Sequence, residues 1–406
     1  MPIIFKSEGI VLSKRIYLDH SATTPVKPEV VTAMLPYFTE IFGNPSSIHG
    51  FGQDARNSVS TSREVIAKFI NASADELYFT GGGSESDNWA IRGVAHAYKA
   101  KGNHIITSTI EHHAVLHTCE ALEKEGFEVT YLPVDADGKI DLAALEAAIK
   151  ETTTLITIMA INNEIGTIQP IAEIGALAKS KNVLFHTDAV QALGNIALDV
   201  KSMNIDLMSM SSHKIYGPKG VGALYIKKGV KIKNLIEGGA QERKRRAGTE
   251  NVPGIVGFAK AVEISSETFE AHVNHLTVLR DRLMKGILEQ VPYVKLNGHP
   301  TDRHPGNVNV CFEFIEGESL LLSLDLVGIA GSSGSACTSG SLDPSHVLMA
   351  IGLIHEIAHG SLRLTIGDST TEEEVDYTIE KLIEIVARLR SYSPLFDKFK
   401  LQGGTN

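Results

Sequence analysis

Met208-Ser-Met-Ser-Ser-His-Lys-Ile-Tyr-Gly-Pro-Lys-Gly220 is the stretch that decides the reading of this chain. An apolar run, Ile205 to Met210, ends in Ser211, Ser212 and His213; Lys214 and a glycine/proline turn follow, and Val221 to Ile226 reads as another strand. Lysine is seldom buried unless it is paired or reactive. A desolvated amine gives up its proton and becomes a nucleophile toward carbonyls. Serine and histidine beside it are suited to hold a phosphate. The plain alternative is a solvated lysine in a hairpin, and residues elsewhere must decide between the two.

Upstream, the apolar run Val183-Leu-Phe-His-Thr-Asp-Ala-Val-Gln191 delivers Asp188 to a strand end, where ligands gather in open α/β sheets. A buried carboxylate needs a partner. The protonated ring nitrogen of pyridoxal 5'-phosphate is a suitable one, and the same cofactor uses a lysine nucleophile. An Asp capping the following helix is the bland reading. Leu77-Tyr-Phe-Thr80 is a predicted strand that runs into Gly81-Gly-Gly-Ser-Glu-Ser-Asp-Asn88, with a helix expected from near Trp89. Glycine lets a backbone approach phosphate, and Gly83 and Ser84 are the candidates there. The spacing is neither GxGxxG nor a Walker loop, so a nucleotide is not indicated. After the predicted strand His104 to Ile110, His112 is placed to stack on an aromatic cofactor and shuttle protons. His113 and His117 form an i,i+4 pair that a metal would need to supplement with further ligands.

With 36 glycines and 43% hydrophobic residues in 406, the chain suits a large α/β enzyme. The alternation from Leu77 to Ile226 implies a mostly parallel sheet covered on both faces. The net charge of −10 gives no sign of nucleic-acid binding. No apolar run is long enough to cross a membrane, and the start of the sequence lacks a signal-like core, so a cytoplasmic protein is expected.

Cys119, Cys311 and Cys337 make neither a disulfide framework nor a metal site. The first two fall in a predicted helix and strand. Cys337 lies in Gly328-Ile-Ala-Gly-Ser-Ser-Gly-Ser-Ala-Cys-Thr-Ser-Gly340, where nothing apolar packs it, and reads as a nucleophile. His355-Glu-Ile-Ala-His359 matches a zinc-protease pattern, but Gly360 stops the helix and no third ligand follows at the expected spacing. Arg363, between apolar neighbours in a predicted strand, suits capture of a carboxylate; pairing with an internal acid is its alternative. Residues 393–406 read as a loose tail.

Together Tyr17-Leu-Asp-His-Ser-Ala-Thr-Thr-Pro25, Gly43-Asn-Pro-Ser-Ser47, Asn162-Asn-Glu-Ile-Gly166, Ser211 to Gly220 and Ser332 to Gly340 resemble the cysteine desulfurases of the NifS/IscS type. The resemblance implies the aspartate aminotransferase fold, type I of the pyridoxal-phosphate enzymes. It has a large domain (15–260) with a mostly parallel seven-stranded sheet between helices, and a smaller α+β domain (261–406 with 1–14). It implies Lys214 as the cofactor-bonding lysine, His112 stacked on the ring, Asp188 at the ring nitrogen and Gln191 at the phenolic oxygen, with Asn163 beside the ring. Gly83, Ser84, Ser211 and His213 match phosphate contacts, and Thr249 one given to the other subunit of a homodimer. Arg363 matches the carboxylate anchor for L-cysteine and Cys337 the persulfide-forming nucleophile. A NifU/IscU-type iron–sulfur scaffold is an implied sulfur acceptor. A selenocysteine lyase, another lyase of this fold, a zinc hydrolase built on His355 and His359, and a catalytically idle scaffold-binding relative are the competing readings.

Overall fold

The structure, a computed structural model, describes residues 15–333 and 344–401; Cys337 lies outside them. The strands in chain order are β1 (Ile16–Tyr17), β2 (Leu77–Thr80), β3 (His104–Ser108), β4 (Glu128–Leu132), β5 (Thr153–Thr157) and β6 (Leu184–Asp188). They continue with β7 (Leu207–Ser211), β8 (Gly222–Ile226), β9 (Val294–Leu296), β10 (Asn307–Phe312), β11 (Ile329–Ala330) and β12 (Ser361–Thr365). Among the described residues, seven of these strands form the principal sheet in the order β2-β8-β7-β6-β5-β3-β4. The neighbours from β7 to β4 are parallel, and only β8 runs against its neighbours β2 and β7. Adjacent residues of a strand face opposite sides. Ile106, Ile156 and Met208 therefore pack with Ile66 and Phe258 on one face, while Ile105, Leu155 and Leu207 pack with Trp89 and Ile91 on the other. Helices on both faces leave β3, β5, β7 and β8 buried along their whole length, as a mostly parallel sheet requires.

A second core gathers around the antiparallel sheet β12-β10-β9, covered by helices Gly317–Leu326 and Glu372–Ser391. The 39-residue helix Val252–Gln290 joins the two, with Phe258 in the first core and Leu276, Leu283 and Ile287 in the second. Lys27, His272 and Asp368 clasp the junction: Lys27 Nζ is 2.6 Å and His272 Nδ1 2.5 Å from the Asp368 carboxylate.

Several elements differ from expectation. Ile16 and Leu18 pack in the second core, with β1 paired to β11, rather than with the larger unit. The helix expected from Trp89 begins at Gly83, because Gly82, at φ 151°, turns the chain within two residues of β2. Residues 394–401 are helical rather than loose. Phe396 packs against Phe314 at 5.4 Å and meets Tyr293 edge to face at 6.1 Å, so burial of one aromatic ring organises the segment. None of the described helices is long and apolar enough to cross a membrane.

Candidate active site

The C-terminal ends of the parallel strands meet at a cavity of about 300 Å³, within the range of small-ligand sites. Gly83 and Ser84 line it beyond β2, His112 beyond β3, Asn163 beyond β5, Asp188 and Gln191 at β6, and Ser211, His213 and Lys214 at β7. Arg363, from β12 of the second core, closes one side. The structure thus brings together the expected residues except two. Thr249 is exposed and absent from the cavity lining, and Cys337 lies outside the described residues.

Each group is fixed by local bonding. Lys214 follows β7 on a single 3₁₀ turn, Ser212–Lys214, and its Nζ donates to the carbonyls of Ser21 and, at 2.9 Å, Ala22. Asp188 accepts the Val190 N–H at 2.8 Å; burial nevertheless pushes its carboxyl up to about 6, against the pull of that bond and of Lys214. Gln191 donates to Ser21 O at 3.0 Å. His213 Nδ1 lies 3.1 Å from Thr23 Oγ1, and burial, then the charges of Lys214 and Lys219, lower its pKa to about 4.

His112 caps helix His113–Lys124, its Nδ1 accepting the Ala114 N–H at 3.1 Å. Burial first, then Lys214, lowers its pKa to about 4. The ring is therefore neutral at pH 7, and the bond to Ala114 leaves its proton on Nε2. His112 is a donor toward the cavity and a poor acceptor.

A profile of the aminotransferase class-V family matches residues 16–378. The chain belongs to that family. A cysteine desulfurase IscS of Clostridium botulinum is 58% identical over 391 residues, covering 96% of this chain and 98% of the relative. One from Methanosarcina thermophila is 59% identical, covering 95% of each. A solved NifS-like protein superposes with a TM-score of 0.87 at 40% identity, over 93% of this chain and all of that one. A structure described as SspA in complex with cysteine gives 0.76 at 38% identity, over 88% of this chain and all of that one.

These enzymes depend on pyridoxal 5'-phosphate, and the residues here fit it. A buried carboxylate, Asp188, and the amine of Lys214 line one cavity. Gly83 forms a cradle that any side chain would fill, since a Cβ there would lie 2.6 Å from Val190 Cγ2. Arg363 Nε is buried with no hydrogen-bond partner among the described residues.

Arg363 also meets its alternative partner. It is 3% exposed, with Nη2 at 2.9 Å from Asp19 Oδ1 and Nη1 at 3.0 Å from Asn163 O. Its backbone pairs with Ser332, its N–H donating to Ser332 O at 2.6 Å, while Ser345 Oγ donates to the Glu164 carboxylate. Both flanks of the segment holding Cys337 are thereby anchored beside the cavity. Cys119 and Cys311 are buried, and burial raises both thiols, Cys311 to about 11. The rings of His355 and His359 meet edge to face at 4.4 Å, and among the described residues no group of three His, Cys, Asp or Glu side chains is arranged to hold a metal.

Sequence reasoning missed Ser21 and Ala22, whose carbonyls receive Lys214 and whose stretch reads as turn formers. It also missed Asp19, signalled by its place at the end of a short strand, and Asp87, for which the sequence carries no signal apart from its nearness to the glycines.

Proposed function

We propose that this chain is a cysteine desulfurase that converts L-cysteine to L-alanine and carries the sulfur as a persulfide on Cys337. The observation that carries the reading is the placement of Lys214, Asp188, His112 and Arg363 around one cavity, with both flanks of the Cys337 segment anchored at its edge. Cys337 is four positions beyond Ser333, and a chain of that length spans at most roughly 14 Å.

When bound, pyridoxal 5'-phosphate supplies an electron sink for the pair released at the substrate α-carbon. The protein supplies the rest. Asp188 is the carboxylate that would hold the ring nitrogen, while Gly83, Ser84, Ser211 and His213 would hold the phosphate. Arg363 orients the substrate carboxylate by a charge-assisted pair. Lys214 takes the α-proton on Nζ. His112 is the weaker candidate for that task, because its Nδ1 lone pair is already committed to Ala114. Cys337 Sγ attacks the substrate sulfur: an S–S bond forms, the C–S bond breaks, and its electron pair stays with the carbon skeleton. Protonation of that carbon then gives alanine.

A homodimer completes this reading. Val31, Leu35, Phe38, Phe42, Ile48 and Phe51 form a run of exposed apolar side chains, Ile48 being 88% exposed. A patch of this kind is suited to cover by a second copy, toward which the exposed Thr249 would reach. An iron–sulfur scaffold of the NifU/IscU type would take the sulfur, in the cytoplasm. The test is single turnover with L-cysteine followed by intact-mass analysis. One extra sulfur atom on Cys337 with stoichiometric alanine is expected, and Cys337→Ser should retain bound cofactor and lose both products. Sulfur found on Cys119 or Cys311 would overturn the mechanism.

A further inference from the structure

The cavity wall holds a second buried carboxylate that the steps above do not use. Asp87, in helix Gly83–Tyr98, is 1% exposed and lines the cavity together with Asp188. The two acids are placed differently. Asp188 accepts the Val190 N–H at 2.8 Å and has Lys214 near it. Asp87 has the Ser209 hydroxyl on one side, and its Oδ1 is buried with no hydrogen-bond partner among the described residues, 3.7 Å from His186 Nε2.

His186 does not supply a balancing charge. Its Nδ1 meets Thr157 Oγ1 at 2.8 Å and its Nε2 meets Ser209 Oγ at 2.9 Å, and burial lowers its pKa to about 3. The ionisable groups facing Asp87 are therefore Asp188 and neutral His186 from β6, and Glu111 from the loop after β3. Glu111 is itself buried, bonded to Ser108 Oγ at 2.6 Å and to the Met159 N–H. Among the described residues, no cation belongs to this set. Two carboxylates in one dry site cannot both ionise, and hydrogen-bond donors decide which one does.

We propose that Asp87 is a positioning residue: held un-ionised, it leaves the single negative charge of the pair on Asp188, where the cofactor ring nitrogen would meet it. This rests on the assignment of Asp188 to that nitrogen. Burial and the neighbouring acid Asp188 both favour the protonated form of Asp87. Asparagine is its neutral isostere and should replace it. Alanine removes the group and leaves Asp188 with a changed neighbour.

The experiment compares wild type, Asp87→Asn, Asp87→Ala and Asp188→Asn. Cofactor affinity is read from the visible band of the holoenzyme on dilution, and thermal midpoints of the cofactor-free protein are read from pH 5 to 7. Asp87→Ala should weaken cofactor binding at least tenfold, and Asp87→Asn should restore it to within threefold. A carboxyl whose pKa is higher in the folded than in the unfolded chain costs stability progressively as pH rises above the unfolded value. The midpoint of Asp87→Asn should therefore climb relative to wild type, by roughly one to two degrees per pH unit. A pH-independent difference, or an Asp87→Asn variant as weak in binding as Asp87→Ala, overturns the proposal alone. Unaltered cofactor binding in Asp188→Asn overturns the underlying assignment and the proposal with it.

Discussion

The floor and the rim of the cavity are built by different means. The floor groups, Gly83, His112, Asp188 and Lys214, sit within a few residues of the C-terminal ends of parallel strands, and the side chains of the last three are bonded to backbone groups. The rim is borrowed from the second core. Arg363 reaches it from β12, and the flanks of the Cys337 segment join through Ser332 and Ser345. Groups that must hold a cofactor to a fraction of an ångström gain from a sheet buried on both faces. On the reading proposed above, the sulfur on Cys337 would meet first a substrate and then an acceptor, and the described flanks of its segment join outside that sheet. If the proposed roles hold, binding is built into the sheet and delivery is attached outside it, so the two sides should respond differently to mutation.

The floor should give the largest effect. Lys214→Ala should lower turnover by at least about 10³-fold, the scale of a well-placed proton-transfer group, while the thermal midpoint stays within a few degrees. Borohydride reduction of the wild-type holoenzyme should leave cofactor mass on the peptide holding Lys214. Mass on a peptide holding Lys219 instead would break the contrast at its strongest point.

At the rim the effect should be smaller and fall on KM. Arg363→Ala should raise KM for cysteine about tenfold to a hundredfold, the worth of a charge-assisted pair of ~1.5–3 kcal/mol. Lysine should rescue it in part, because it lacks the fork that spans two acceptors. Asp19 sharpens the test, since it already engages Nη2. If Arg363 only braces Asp19, KM will hold and stability will fall.

The floor was the more legible side in the sequence. Apolar runs that end abruptly in Asp188 and Ser211 announce buried strands with polar groups at their ends, and His112 and Lys214 follow from the same rule. Arg363 was legible as a residue, but its engagement with Asp19 was not, because 344 positions separate the two. Asp87 stayed hidden for a physical reason: a carboxylate near the start of a helix reads as a solvated or dipole-favoured residue, and only the packing of that helix on the sheet buries it. The helix of residues 394–401 escaped because Phe396 finds its partners, Tyr293 and Phe314, far back in the chain.

The smallest effect should come from the clasp between the two cores. Burial opposes ionisation of Asp368, yet the bonds from His272 and Lys27 outweigh it and hold the carboxyl well below the usual carboxylate range. A depressed pKa adds stability that is fully present above the unfolded value, near 3.9, and is lost as pH falls through the folded one. The pair is partly exposed, so solvent screening brings its worth down to about 1 kcal/mol. Asp368→Asn should therefore lower the urea midpoint slightly, by the same amount from pH 7 down to about pH 4.5, with the gap to wild type closing below about pH 4. A gap that widens in acid would show the carboxyl to be un-ionised. Asp368 follows β12 by three residues, and β12 carries Arg363 to the rim. Loosening the clasp should thus raise KM for cysteine modestly and leave cofactor affinity unchanged. If cofactor affinity fell as well, the floor would depend on the second core, and the separation of binding from delivery would fail.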